Sequence, residues 1–228
     1  MTIIFGGTTE GRELAIAAHA RGEDILVSVT SEYARSLLPA DIPCRVGVLD
    51  EPAMLTFLAT QHPDQVIDAT HPFAIQATRT IRACCEQLNL PLTRIERPTE
   101  TATWRDAVEW VPDTAAAIAA LSRTSGSVLL TTGSKTLLDY AAALPPEHLW
   151  ARVLPTHAAL DICLDAGLPQ NHILAMQGPF SAALNAALYD QLNIAVMVTK
   201  DSGAAGGVDE KILPALARGI HVIVIARP

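Results

Sequence analysis

The chain has 228 residues, half of them hydrophobic and only 4% aromatic, so alanine, leucine, isoleucine and valine must build the core of one large domain or two small ones. A formal net charge of −8 argues against non-specific binding to nucleic acid or an anionic membrane, but not against an anionic ligand held by local basic groups. No apolar run reaches the length of a membrane span, and MTIIFGGTTEGR lacks the basic region and cleavage site of a signal peptide, so a cytoplasmic protein is expected.

Apolar strand-like runs alternate with helix-like stretches along the whole chain. Strands are predicted at Thr2–Phe5, Ile25–Val29, Arg45–Val48, Gln65–Asp68, Leu92–Glu96, Ser127–Leu130, Trp150–Leu154, Ile173–Met176, Ala195–Val198 and Val222–Ile225. Helices are predicted at Gly11–Ala20, Glu51–His62, Phe73–Leu88, Thr114–Arg123, Lys135–Ala143, Thr156–Ala166, Ser181–Gln191 and Val208–Ala217. Such alternation implies an α/β fold with mostly parallel sheets. The least regular stretch, Arg97–Pro112, divides the strands roughly in half. Two Rossmann-like lobes are therefore expected: an N-terminal dinucleotide-binding lobe at 1–110, a C-terminal substrate lobe at 111–228, and an interlobe cleft. The four cysteines, Cys44, Cys84, Cys85 and Cys163, match no zinc or redox spacing; buried free thiols and no metal site are expected.

Parallel sheets bind ligands beyond the carboxyl ends of their strands. There the first strand runs into Gly6, Gly7, Thr8, Thr9, Glu10 and Gly11. Glycines let a phosphate approach the backbone, the threonines can cap a helix or donate to phosphate oxygens, and the helix dipole favours an anion. The spacing is neither strict G-x-G-x-x-G nor a Walker loop. The second strand ends in Thr30 and Ser31, which suit a ribose or a 2′-phosphate. Glu32 favours the unphosphorylated cofactor and Arg35 the phosphorylated one, so both stay open.

Further along, Gln65–Ala74 ends a strand in Asp68, Thr70 and His71; His71 is a candidate proton donor or ligand contact. Arg94 and Arg97 suit carboxylates. Thr131–Lys135, TTGSK, offers hydroxyls, a glycine, a helix start and a cation. Arg152, inside a strand-like run, and Gln177–Phe180, a glycine turn with a polar amide at a strand end, are weak signals singly, with surface charge and turn chemistry as the bland alternatives. The run after Ile194 ends in Lys200, Asp201 and Ser202, followed by Gly203, Gly206 and Gly207. The chain has three lysines, at 135, 200 and 211, all in or just after such polar segments. Arg94, Arg97, Lys135 and Lys200 are expected to line one cationic edge, suited to a polyanionic small molecule beside a dinucleotide.

Taken together, GGTTEGR at 6–12, DATHPFA at 68–74, RIERP at 94–98, TTGSK at 131–135, QGPF at 177–180, TKDSGAAGG at 199–207, Glu210–Lys211 and the closing ARP resemble the precorrin-6A reductases of corrinoid (vitamin B12) biosynthesis. The resemblance implies hydride transfer from NADPH or NADH to a C=C bond of a polycarboxylate tetrapyrrole, with or without cobalt, and a proton added at the neighbouring carbon. The run TSEYAR departs from the Ser-Leu-Ala-Gly-Arg-like run of many NADPH-using members and leans toward the cobalt-type, NADH-capable branch.

On this reading Gly6, Gly7, Thr8, Thr9, Glu10 and Gly11 hold the pyrophosphate, Thr30 and Ser31 the ribose, and Thr70 and His71 lie near the nicotinamide. Arg94, Arg97, Thr132, Gly133, Ser134, Lys135 and Ser202 bind substrate, with Lys200, Asp201 and His71 as catalytic candidates. A monomer or small homo-oligomer is expected. The alternative is a non-catalytic dinucleotide-sensing module, which has no need of the TTGSK and TKDSG loops. A nucleotide-sugar reductase or epimerase is disfavoured because none of Tyr33, Tyr140 and Tyr189 has a lysine four residues on.

Overall fold

Two parallel sheets organise the computed structural model, which describes residues 1–95, 103–203 and 207–227. Contacts divide the chain into Met1–Pro98 and Thr99–Pro228.

The first unit has the strands β1 (Thr2–Phe5), β2 (Ile25–Val29), β3 (Cys44–Val46), β4 (Gln65–Asp68) and β5 (Leu92–Arg94), in the order β3-β2-β1-β4-β5. Helices α1 (Thr9–Ala20), α2 (Glu32–Ser36), α3 (Glu51–Gln61) and α4 (Ile75–Gln87) connect them. Period-two alternation on central β1 sends Ile4 to one face and Ile3 and Phe5 to the other. Ile4 packs with Val27, Val29, Ala15 and Ala18; Ile3 and Phe5 pack with Met54, Leu58, Val66, Ile81, Cys84 and Cys85. Both faces are covered, which is why these strands read as continuous apolar runs.

The second unit begins at its sheet edge with β6 (Glu109–Val111), drawn from the stretch expected to be irregular; it pairs with the last strand. The remaining strands are β7 (Ser127–Leu130), β8 (Leu149–Val153), β9 (Ile173–Ala175), β10 (Ile194–Lys200) and β11 (His221–Ile225), in the order β6-β11-β10-β7-β8-β9. Helices α5 (Thr114–Leu121), α6 (Leu137–Ala143) and α7 (His157–Asp165) precede α8 (Ala182–Gln191) and α9 (Asp209–Leu216), which pack together.

Side-chain caps fix the helix starts: Thr8, Ser31, Asp50, Asp113, Thr156 and Ser181 each accept from a backbone N–H of the first turn. In α9, Pro214 has no N–H for the carbonyl of Glu210, and Asn185 of α8 supplies the missing donor through Nδ2 at 2.8 Å. Three of the four free cysteines are buried, whereas Cys44 is only half-buried at the sheet edge. Burial pushes the Cys85 thiol up to about 11. Among the described residues no helix is long and apolar enough to cross a membrane.

Candidate active site

The carboxyl edge of the first sheet brings two of the predicted segments together. Phe5 pairs with Asp68, so the turn after β1 lies beside the turn after β4. Gly7 has φ +115°, a conformation open to glycine and strained for other residues. A Cβ on Gly7 would meet nothing within 4 Å, so the space above that turn is open. Gly11 packs α1 onto the neighbouring turn: a Cβ there would stand 3.0 Å from the Ala69 Cβ. These two glycines and the start of α1 fit a pyrophosphate, whose charge the helix dipole favours.

Of the two tasks expected of Thr8, the structure shows the cap. Its hydroxyl caps α1 by accepting from Gly11 N at 3.1 Å and donates to the Ala69 carbonyl at 2.9 Å, pinning the two turns together. Thr9 and Glu10 open α1 and are half-buried. Thr30 and Ser31 are exposed at the end of β2, where Ser31 caps α2. Arg35 donates to the carbonyls of Leu38, Pro39 and Ala40.

Arg94 departs most from expectation. Its Nη1 pairs with the fully buried Asp68 carboxylate and donates to the hydroxyls of Thr78 at 2.7 Å and Thr70 at 3.1 Å. Asp68 also accepts from the N–H and hydroxyl of Thr70, at 3.0 and 2.7 Å. A guanidinium nitrogen spent on this network holds the β4–β5 edge in shape rather than waiting for a substrate carboxylate. Thr70 is likewise a member of that network. Exposed His71 accepts from Phe73 N at Nδ1 across 3.2 Å. Helix α4 accordingly starts at Ile75, two residues later than the apolar pattern of Phe73–Leu88 predicts. Arg97 lies outside the described residues.

In the second unit Lys200 is the last residue of β10 rather than a loop residue. Its Nζ donates to the Thr132 carbonyl at 2.8 Å, tying the TTGSK turn to the central strand. Burial, assisted by the Lys135 charge, holds the Lys200 ammonium below its ordinary pKa. Lys135 is exposed in a single 3-10 turn, Ser134–Thr136, which follows Gly133 at φ +81°. Thr132 is buried and Ser134 half-buried. The expected cationic edge is therefore two edges: Arg94 belongs to the first sheet, Lys135 and Lys200 to the second.

Asp201 and Ser202 are both buried. Asp201 Oδ1 lies 3.4 Å from Arg227 Nη2, and its carbonyl accepts from Arg227 Nε at 3.1 Å. Arg227 thus braces Asp201, a role the sequence reading missed. The unusual path expected here is seen at Gly203 and Gly207, with φ +70° and +60°; Gly206 lies outside the described residues.

A second group joins two of the weak signals, Arg152 and the Gln177–Phe180 turn, to Asn185, which the sequence did not mark. Arg152 is 8% exposed, not a surface charge. Its Nη1 donates to Asn185 Oδ1 at 2.6 Å, and its guanidinium sits over the Phe180 ring at 4.8 Å from the centroid. The available signal was a charged residue inside an apolar run: with helices on both faces of a parallel sheet, such a side chain has no solvent to reach.

Two Rossmann-like parallel sheets, with a glycine turn at the head of α1, define a two-unit α/β protein of the class that binds ligands beyond its strand ends. Comparison makes this particular. Residues 2–228 match the model of the family "Precorrin-6x reductase CbiJ/CobK". The cobalt-precorrin-6A reductase of Priestia megaterium is 34% identical, covering 100% of this chain and 91% of that protein. Its counterpart in Salmonella typhimurium is 36% identical over 99% of this chain and 87% of that protein. The precorrin-6A reductase of Rhodobacter capsulatus is 32% identical over 99% and 87%. A solved structure of CobK precorrin-6A reductase superposes with a TM-score of 0.82 at 31% identity, over 100% of this chain and 88% of that one. The chain belongs to the precorrin-6x reductase family, oxidoreductases of corrinoid biosynthesis that act on a CH–CH group.

Proposed function

We propose that the chain reduces a C=C bond of precorrin-6A or cobalt-precorrin-6A to give the 6B form. The observation that supports this reading most is the family match across residues 2–228, which takes in every loop at both strand-end edges. A reduced nicotinamide, NADH or NADPH, supplies the hydride when bound, and a proton joins the neighbouring carbon. The first unit holds this cofactor through the turn at Gly6–Gly7, the start of α1 with Thr9 and Glu10, the packing at Gly11, and Thr30 and Ser31. Thr70 and His71 border the same turn. The second unit takes the tetrapyrrole carboxylates through Thr132, Gly133, Ser134, Lys135, Lys200 and Ser202. Lys200 grips a carboxylate; Asp201, engaged by Arg227, is the weaker candidate for proton delivery. Positioning of hydride donor and acceptor supplies much of the rate. We place the protein in the cytoplasm, as a monomer or small homo-oligomer.

The test is to mix the purified protein with each reduced cofactor and with the tetrapyrrole, cobalt-loaded or metal-free, and to follow the near-ultraviolet absorbance of the cofactor. Oxidation with one pairing identifies donor and substrate; no oxidation with any pairing overturns the proposal.

Gly7→Ala offers a narrower check. Its positive φ costs a residue with a Cβ about 1–2 kcal/mol, and the open space around it means the cost is conformational rather than steric. The expected result is a rise of about tenfold in the KM for the reduced cofactor with the KM for the tetrapyrrole unchanged. Steady-state kinetics with each substrate varied in turn would read this.

A further inference from the structure

The buried guanidinium of Arg152 is the least explained charge in the second unit. A guanidinium carries five N–H donors, yet among the described residues its one hydrogen bond is to Asn185 Oδ1, and it meets no carboxylate. Burying a cation without an anion is costly. The bonds around Asn185 show that the arrangement is built. Its Nδ2 donates to the carbonyls of Phe180, Ser181 and Glu210, at 3.4, 3.2 and 2.8 Å, so the amide is locked with Oδ1 toward Arg152. Phe180 covers one face of the guanidinium. The remaining nitrogens are not sealed in, because none is both unpaired and wholly enclosed.

Register places this cation at the ligand-binding edge. Leu130 pairs with Val198 on one side and Ala151 on the other, so one step further Thr131 lies between Thr199 and Arg152. Neighbouring strands are about 4.8 Å apart, and the three side chains share the face covered by α8 and α9. Thr199 is fully buried, and its hydroxyl has no hydrogen-bonding partner among the described residues. A buried cation and an unanswered hydroxyl stand in one row where β7, β8 and β10 end.

We propose that Arg152, held by Asn185 and Phe180, is the receptor for one carboxylate side chain of the bound tetrapyrrole. This rests on the second unit's being the substrate-binding one. The guanidinium presents a planar fork that matches a carboxylate, and it selects a substrate with an acid at that one place on the ring periphery.

The test compares wild type with Arg152→Gln and Arg152→Lys. Equilibrium binding of the tetrapyrrole, followed by quenching of tryptophan fluorescence, needs no turnover. Arg152→Gln is expected to weaken that binding and raise the tetrapyrrole KM about tenfold or more. The KM for the reduced cofactor and kcat stay within about twofold. Arg152→Lys, which keeps the charge but loses the fork, falls between; it also serves if the glutamine variant does not fold. Unchanged tetrapyrrole affinity in either folded variant overturns the proposal. Wild type that binds the tetrapyrrole but oxidises no cofactor overturns the reductase reading and leaves the Arg152 comparison intact. Wild type that binds no tetrapyrrole overturns both.

Discussion

Asp68→Ala is expected to cost about 3 kcal/mol of stability, the range for removing one partner of a buried ion pair. Asp68 is fully buried and accepts from Arg94 and from the N–H and hydroxyl of Thr70. Without the carboxylate, a guanidinium and two donors lose their acceptor at the carboxyl edge of the first sheet. Thermal unfolding should report a fall in Tm on the order of 10 °C. Asp68→Asn keeps an acceptor for Thr70 but not the charge, and should lie between wild type and alanine. A Tm within about 2 °C of wild type for the alanine variant would show that the network contributes little. Because the turn after β4 abuts the glycine turn after β1, the KM for the reduced cofactor should rise as well.

The second large effect is expected at Lys200. Lys200→Met removes a charge-assisted hydrogen bond, and loss of such a bond to a substrate carboxylate lowers kcat/KM by about 10–100-fold. The loss should appear in the tetrapyrrole KM more than in kcat. The pH dependence follows from the direction of the shift. Burial first, and the Lys135 charge second, hold the Lys200 pKa below its ordinary value of 10.5. The ammonium is therefore lost early as pH rises, and tetrapyrrole affinity falls at a pH below that of an ordinary lysine. Between the lowered value and 10.5 the unfolded chain binds more protons than the folded one, so Lys200 makes stability rise with pH across that window. Affinity and stability thus move in opposite directions there. Lys135→Gln removes the repulsion and should shift the midpoint of the alkaline affinity loss to higher pH. A midpoint that stays put, measured from the tetrapyrrole KM across the alkaline range, would remove Lys135 from this account.

Much of the architecture was legible because both sheets are covered on both faces. Continuous apolar runs such as Thr2–Phe5 and Ser127–Leu130 read as buried parallel strands and were found at those bounds. Shorter signals were harder. Glu109–Val111 becomes a strand because it pairs with β11, a partner remote in sequence. Helix α2 has five residues and no buried ones, so no apolar periodicity marked it. At the candidate site the sequence located the loops better than it assigned the side chains. Arg94 looked available because the register that sets Asp68 beside it is a tertiary fact, although both strands visibly end in a charge. Thr8 was read both as a helix cap and as a phosphate donor; the cap is found, and the hydroxyl proton goes to the Ala69 carbonyl, a tertiary contact. Asp201 was read as a catalytic candidate beside Lys200, and nothing near it in sequence pointed to Arg227, which engages it from the other end of the second unit.

The scarcity of lysine has an experimental consequence. All three lysine amines belong to the second unit, at positions 135, 200 and 211, so acylating reagents find no lysine in the first. A lowered pKa gives Lys200 a larger fraction of neutral, nucleophilic amine at moderately alkaline pH than an ordinary lysine has. Mass spectrometry of peptides after brief acylation would therefore record this one amine's microenvironment almost without background. Protection of Lys200 on adding the tetrapyrrole, beside a constant signal from Lys211, would map occupancy of the strand-end edge without relying on turnover.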